Sequence, residues 1–450
     1  MQRPPSPSGL NLPPPSPEAL ALSNRLRERI IAAIEAEGGW LAFERYMEMV
    51  LYEPGLGYYS NPGHVFGAAG DFVTAPELTP LFGATVARQV ARWLRDERLK
   101  EAPAVLEVGA GSGKLAVQLL NALDNAGFSD LRYLILELSA ERRQQQRTTL
   151  MSFAPGLMDR VTWLTQMPDS FSGVVIGNEV LDAMPVQVFE WLPGDVREMG
   201  VVVQQGELAW GARPAGEALA STVNELMQVH GVAARAEAML RPLAGEGRSA
   251  IADAGADGAD VGTAARTDAD AAGDARDTDI ELPPYRSERC PAQGAWLATL
   301  AGHLDAGVVL LLDYGYPARE YYHPQRTTGT LMCHYRHRAH ADPFLWPGLN
   351  DMTAHVDFSA LLKAGEEAGL VPLGYVSMAA FLLNAGLLDE LDQLPREPEK
   401  FWFAQAQAVQ QLLSEAQMGE VFKVIAFTKQ MASSPSDMGF ASSNRLERLL

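Results

Sequence analysis

The chain has 450 residues, 47% hydrophobic and 20% charged, enough to bury a large core and to form two or three domain-sized units. Its two cysteines, Cys290 and Cys333, are too few for a disulfide framework, and no run of about 18 apolar residues offers a membrane span. Of the net charge of −20, residues Ile251 to Ile280 carry −6 through eight Asp and two Arg; the remaining −14 leaves no basic footprint for nucleic acid. The start, Met1-Gln2-Arg3-Pro4-Pro5-Ser6, lacks the apolar core of a signal peptide, and together with the cysteine count it predicts a cytoplasmic protein.

Residues 1–17 are Pro/Ser-rich and read as a disordered tail. Residues 18–100 form an N-terminal helical and loop region. Leu20, Leu22, Leu26, Ile30, Ile31 and Ile34 keep one helix face apolar, Gly38-Gly39 ends that helix, and a second helix covers Leu41 to Leu51. A turn-rich aromatic run through Tyr58-Tyr59 leads into a long loop and then Gly70-Asp71-Phe72-Val73-Thr74-Ala75-Pro76-Glu77, before a helix over Leu81 to Leu94.

Strands and helices then alternate. Over 101–190 the pattern predicts strands at Ala104–Val108, Arg132–Leu136, Val161–Leu164 and Val174–Gly177, separated by helices Lys114–Ala126 and Ala140–Phe153. The fifth strand, Val308–Asp313, follows an insertion (191–305) after the fourth strand. That insertion opens with extended segments around Val186–Trp191, Met199–Gln204 and Glu207–Trp210, and ends in an Ala/Asp/Gly tract near 245–282 that reads as disordered. Residues 306–430 complete the domain and 431–450 read as a flexible tail. The expected fold class is α/β, a doubly wound, mainly parallel sheet with an N-terminal helical region and a large insertion.

Glu107-Val108-Gly109-Ala110-Gly111-Ser112-Gly113 sits between a buried strand and a helix, where glycines let the backbone approach a ligand. A phosphate-binding P-loop would need Gly at 108 and Ser or Thr at 115, but Val108 and Leu115 stand there. A dinucleotide fingerprint would need Gly at 114, where Lys114 stands. What remains is acid-x-Gly-x-Gly-x-Gly, the form used by sheets that bind S-adenosylmethionine. Glu137, at the end of the second strand, is placed to accept hydrogen bonds from both ribose hydroxyls. Asn178, at the end of the fourth, is expected to face the methionine part or the transferred methyl.

Taken together, Tyr58-Tyr59, Gly70 to Glu77, Leu81-Phe82-Gly83, Glu107 to Lys114, and Asn178-Glu179-Val180-Leu181-Asp182-Ala183-Met184-Pro185-Val186 resemble the MidA-type methyltransferases. The likeness continues in Leu312-Asp313-Tyr314-Gly315-Tyr316 and Asp351 to Phe358. The family includes the mitochondrial complex I assembly factor that methylates an arginine of a subunit. Ala110 replaces a frequent proline and Gly177 a usual serine. The resemblance implies a seven-stranded-type methyltransferase sheet and S-adenosylmethionine held by Glu107, Gly109, Gly111, Gly113, Glu137, Asn178, Thr74 and Pro76. It also implies a partner protein carrying an arginine; a homodimer is a further expectation, and methyl transfer, an in-line displacement from a sulfonium, requires no metal.

If the acceptor is an arginine, carboxylates must hold the guanidinium. Glu179 and Asp182 are the natural pair, with Asp71 and Glu77 as further candidates and His355 and Asp313 to Tyr316 on the acceptor side. Either acid could instead cap a helix. The spacing of His334, His337 and His340 suggests metal ligation, but Arg336 and Arg338 interrupt it and a solvated loop is the expectation. Two alternatives stay open: an assembly chaperone that binds S-adenosylmethionine without turnover, and a small-molecule methyltransferase.

Overall fold

The computed structural model describes residues 12–60, 74–245, 283–431 and 437–450. The first residues of the Pro/Ser tail, Asp71 with the rest of its loop, and the acidic tract beyond 245 lie outside them.

Helix Pro17–Ala36 starts where Pro17 needs no backbone donor and the Ser16 hydroxyl accepts from the Ala19 N–H at 3.2 Å. Its buried face is Leu26, Ile30 and Ile34. Strand β1 (Leu41–Ala42) and helix Phe43–Tyr52 follow.

The central sheet contains β2 (Ala104–Val108), β3 (Arg132–Leu136), β4 (Val161–Leu164), β5 (Phe171–Asn178), β10 (Leu304–Tyr316), β15 (Val371–Ser377) and β16 (Phe422–Lys429). Their order is β15-β16-β10-β5-β2-β3-β4, with β14 (Val356–Asp357) beside the end of β10. The strands from β10 to β4 run parallel, and β16 is antiparallel to both its neighbours. Both faces are covered, so β10 is apolar at every position in its middle. Val308, Leu310 and Leu312 enter one core with Phe82, Val86 and Leu119, while Val309 and Leu311 enter the other with Leu297, Leu300 and Phe358. This is the fold class expected from the sequence. Chain order reverses between β2 and β5, which opens a crevice at their carboxyl ends.

The insertion builds its own antiparallel sheet from β6 (Gln187–Leu192), β7 (Asp195–Gln204), β8 (Glu207–Pro214) and β9 (Tyr285–Arg289), with β1 on β7. Helix Phe43–Tyr52 packs Phe43, Met47 and Val50 against Val188, Met199 and Val201 of this sheet. The N-terminal helices therefore belong to the same core as the insertion.

Two expectations are corrected. The histidine series is no solvated loop: β11 (Met332–Tyr335) and β12 (Arg338–His340) form a hairpin that β13 (Asp351–Thr353) extends. His340 is buried, its Nε2 at 3.1 Å from Asn350 Oδ1. Residues 437–450 are also docked, not a flexible tail. Phe440 and Leu449 are buried, and the edge of β15 is covered because Tyr375 N–H donates to Asn444 and Tyr375 C=O accepts from Arg445 N–H.

Glycine is enforced where β5 and β10 meet. Gly307 has φ +150°, and a Cβ there would lie 1.8 Å from the Gly173 carbonyl oxygen. Gly302, near the end of helix Pro291–His303, has open space around its Cβ position. We predict that Gly307→Ala destabilises the protein by about 3 kcal/mol or more, whereas Gly302→Ala is neutral or stabilises by about 0.5–1 kcal/mol. Denaturant unfolding of both variants checks this; equal stabilities would contradict it.

Candidate functional site

A cavity of about 810 Å³ lies over the carboxyl ends of β2 and β5. Its floor is the glycine turn. Gly109, Gly111 and Gly113 all have positive φ, at +65°, +51° and +83°. The three are needed for different reasons. A Cβ on Gly109 would crowd Val180 at 3.1 Å and one on Gly113 would crowd Gln146 at 3.2 Å, but one on Gly111 would point into open space beside the cavity. Glycine at 111 thus keeps room for a ligand.

The turn is held from two sides. Gln146, fully buried on helix Ala140–Phe153, donates to both the Gly111 carbonyl (3.2 Å) and the Glu137 carboxylate (3.1 Å) and accepts from Trp163 Nε1. On the other side Glu77 accepts from Ser112 Oγ at 2.5 Å and pairs with Lys114. Glu77, a candidate for gripping an acceptor, is therefore spent on the glycine turn. Glu137 lines the cavity and takes one further bond from Ser139 N–H, which leaves its carboxylate lone pairs for a ligand's hydroxyls. Glu107 also lines it but accepts from Tyr133 O–H at 2.6 Å, and burial pushes its carboxyl up to about 7. Thr74, Pro76 and Asn178 complete this end.

The other end is acidic. Past β5 the chain enters a tight turn in which Glu179 adopts φ +54°, a conformation that costs a non-glycine residue energy and is retained at functional sites. Glu179 and Asp182 both line the cavity. The Asp313 carboxylate, 1% exposed, accepts from the backbone N–H groups of Leu181 (2.8 Å), Asp182 (3.3 Å) and Tyr314 (2.9 Å). Glu179 accepts from Asn178 Nδ2 at 3.2 Å, while Asp182 Oδ1 is buried without a hydrogen-bond partner among the described residues. Tyr52 and Tyr59 stack at 5.6 Å over this end, with Tyr59 O–H donating to Asp351 at 2.8 Å.

None of Glu179, Asp182 and Asp313 is salt-bridged to Lys or Arg among the described residues. Burial without a countercharge pushes Glu179 up to about 8 and Asp182 up to about 6, and raises Asp313 further beside Asp182.

Of the residues singled out in the sequence, the structure brings together Glu107, Gly109, Gly111, Glu137, Asn178, Thr74, Pro76, Glu179 and Asp182 around one cavity. Gly113 lies just behind, at the start of helix Lys114–Asn125. Asp71 is outside the described residues. His355 is corrected: it does not line the cavity, but stacks on Tyr316 and meets Tyr314 edge-on, and burial and nearby cations lower its pKa to about 4. Gln146, Tyr52, Tyr59 and Asp351 were not assigned roles in the sequence. A buried glutamine on a helix and two aromatics before a loop carry little signal alone.

The comparisons bear on this geometry. A family described as "Putative S-adenosyl-L-methionine-dependent methyltransferase" matches residues 85–376. A superfamily member from Burkholderia thailandensis, solved bound to S-adenosyl-homocysteine, is 42% identical with a TM-score of 0.79, covering 97% of this chain and 100% of that one. "Protein arginine methyltransferase NDUFAF7 homolog, mitochondrial" from Drosophila melanogaster is 28% identical over 90% of this chain and 84% of its own length. The Rattus norvegicus protein named "Protein arginine methyltransferase NDUFAF7, mitochondrial" is 24% identical over 78% and 71%. The fly and rat relatives are both named as mitochondrial, which overturns the cytoplasmic expectation. An open Gly111 face, a carboxylate with free lone pairs at the end of β3, and a cavity of this size fit an adenosyl ligand, and the chain belongs to the family of S-adenosylmethionine-dependent methyltransferases.

Proposed function

We propose that the methyl acceptor is an arginine side chain of a partner protein, gripped by Glu179 and Asp182. The observation that carries this reading is the pair of carboxylates at the cavity's acidic end. They have no cationic partner among the described residues, and one oxygen of Asp182 accepts no hydrogen bond. A guanidinium supplies both what is missing, a charge and a planar set of donors. The names of the fly and rat relatives support the same acceptor.

S-adenosylmethionine, when bound, supplies a methyl carbon on a positively charged sulfur. Transfer forms the bond from acceptor nitrogen to methyl, breaks the sulfur–methyl bond, and releases one proton. In this reading Glu137 holds the ribose hydroxyls, the backbone at Gly109, Gly111 and Gly113 lies against the cofactor, and Glu107, Asn178, Thr74 and Pro76 surround the rest. Glu179 and Asp182 align the guanidinium nitrogen with the methyl, a contribution of positioning. The released proton leaves through one of these carboxylates to water. Tyr52 and Tyr59 shield the acidic end from solvent.

Glu137→Ala should weaken S-adenosylmethionine binding by about 1.5–3 kcal/mol, the usual size of charge-assisted hydrogen bonds. Gly111→Val should weaken it further by filling the open space. Calorimetric titration measures both; unchanged affinity in Glu137→Ala would remove Glu137 from the cofactor's contacts.

Glu179→Gln should keep cofactor affinity and lower transfer into protein about 100-fold, or about 2.7 kcal/mol. The amide neither balances the guanidinium charge nor matches its paired donors. The assay is transfer from labelled cofactor into protein extract of cells lacking this chain, followed by analysis of the hydrolysate for methylarginine. Label only in small molecules, or in another amino acid, would refute the arginine reading.

The same assay has a pH signature. Below their raised values Glu179 and Asp182 are protonated, neutral and unable to pair with a cation. kcat/KM should therefore climb as pH rises from about 6 to about 8 and level off above, and a profile flat over that range would contradict the grip.

A further inference from the structure

Carboxylates alone attract any cation, so preference for a guanidinium needs a further surface against which its flat face can lie. Tyr52 supplies one. It is the last residue of helix Phe43–Tyr52, whose apolar side is fixed on the inserted sheet. Beyond it the chain doubles back so closely that a Cβ on Gly57 would lie 2.6 Å from the Glu53 backbone nitrogen. That tight return brings Tyr59 onto Tyr52, the rings stacked at 5.6 Å and 24°, and lets Ser60 Oγ donate to the Tyr52 C=O at 3.1 Å.

Both hydroxyls are committed to the protein. Tyr52 O–H donates at 2.9 Å to the C=O of Ala183, the neighbour of Asp182, and Tyr59 O–H donates to Asp351 at 2.8 Å. Three residues beyond Asp351, the Ala354 N–H donates to the Asp182 C=O at 3.0 Å. These contacts close a circuit around the acid turn through three distant segments of the chain. With one face on Tyr59 and its hydroxyl bonded, Tyr52 is still 39% exposed, and it lines the cavity together with Tyr59, Glu179, Asp182 and Ala183. An uncovered aromatic ring, fixed beside two acids, offers a π-face to the cation that those acids attract.

We propose that Tyr52 is an acceptor-binding residue: the guanidinium gripped by Glu179 and Asp182 lies against its ring, and Tyr59 backs that ring. A flat, weakly hydrated cation is thereby favoured over a compact ammonium. The proposal rests on the arginine reading above and adds to it the group that selects arginine over lysine. The bond to Ala183 orients the ring and the ring makes the contact, so the two roles are separable by substitution.

Transfer of label into the extract described above is measured at increasing extract concentration for wild type, Tyr52→Phe and Tyr52→Leu, each as the full chain, with cofactor affinity by calorimetry. Acetyl-arginine amide and acetyl-lysine amide are then compared as inhibitors of that transfer. Tyr52→Phe keeps the ring and loses the bond, so KM for the extract should rise only about threefold; Tyr52→Leu loses both and should raise it about thirtyfold, with cofactor affinity within about twofold in each. The arginine compound should inhibit wild type and Tyr52→Phe at lower concentration than the lysine compound, and about tenfold of that advantage should vanish in Tyr52→Leu. Where Tyr52→Leu fails to bind cofactor, Tyr52→Met, whose unbranched side chain refills the space without a π-face, takes its place. A phenylalanine variant as impaired as the leucine one, an arginine advantage that survives loss of the ring, or no such advantage in wild type would each overturn the proposal. If label appears in an amino acid other than arginine, the arginine reading fails; if it appears in methylarginine while the leucine variant matches wild type, only the role of Tyr52 fails.

Discussion

The turn from Glu179 to Ala183 is the constraint on which the site depends. It leaves the sheet at the end of β5 and runs through the interior, where every backbone donor and acceptor needs a partner. The partners come from all sides: Leu312 C=O for Glu179 N–H, the Asp313 carboxylate for Leu181 and Asp182, Gln293 for Leu181 C=O, Ala354 N–H for Asp182 C=O, and Tyr52 O–H for Ala183 C=O. With these backbone groups engaged, Glu179 is held at its positive φ and both acids line the cavity. The placement of these acids is thus set by the turn's hydrogen bonds.

That placement has an electrostatic cost. Glu179, Asp182 and Asp313 lie close together, the two aspartates buried and Glu179 half-buried, without a cation among the described residues, so ionising them is opposed by desolvation and by mutual repulsion. Groups whose folded pKa exceeds the unfolded one weaken the folded state as pH rises from the unfolded value to the folded one. A site tuned only for stability would have replaced one of these acids or paired it. A cationic acceptor of the kind proposed would offset that cost, and the raised values fall on the same turn as the strained backbone.

Legibility from the sequence followed the length of the physical signal. β2 to β5 and the glycine turn were readable because buried parallel strands are continuous apolar runs and because the glycine spacing separates three ligand classes. The inserted sheet was readable only in part: β6, β7 and β8 are Val-rich, whereas β9 pairs with β6 from the far side of a long acidic tract. His355 was misplaced for a different reason. Its position in a motif suggested a role at the acceptor, but pairing of β14 with β10 sets it behind Tyr314. The role of Glu77 was equally hidden, since its contact with Ser112 and Lys114 joins residues 35 and 37 positions apart.

The two ends of the cavity come from different parts of the molecule, and this division explains the pattern. The cofactor end is assembled largely from consecutive elements, β2 to β5, which lie side by side in the sheet in the order β5-β2-β3-β4. The end proposed for the acceptor takes Tyr52 and Tyr59 from the N-terminal region, Asp313 from β10 and Asp351 from β13, with the inserted sheet packing against the N-terminal helices. Such a site has no local signature, because each residue is chosen to complement a partner far away in the chain. It also separates two selective demands. The glycine turn must fit a ligand common to the whole family, whereas the aromatic and acidic wall can be altered at the N-terminal helices or at β13 without disturbing the sheet. Acceptor choice is therefore expected to reside in Tyr52, Tyr59 and Asp351, which surround the gripping acids without belonging to the turn that carries them.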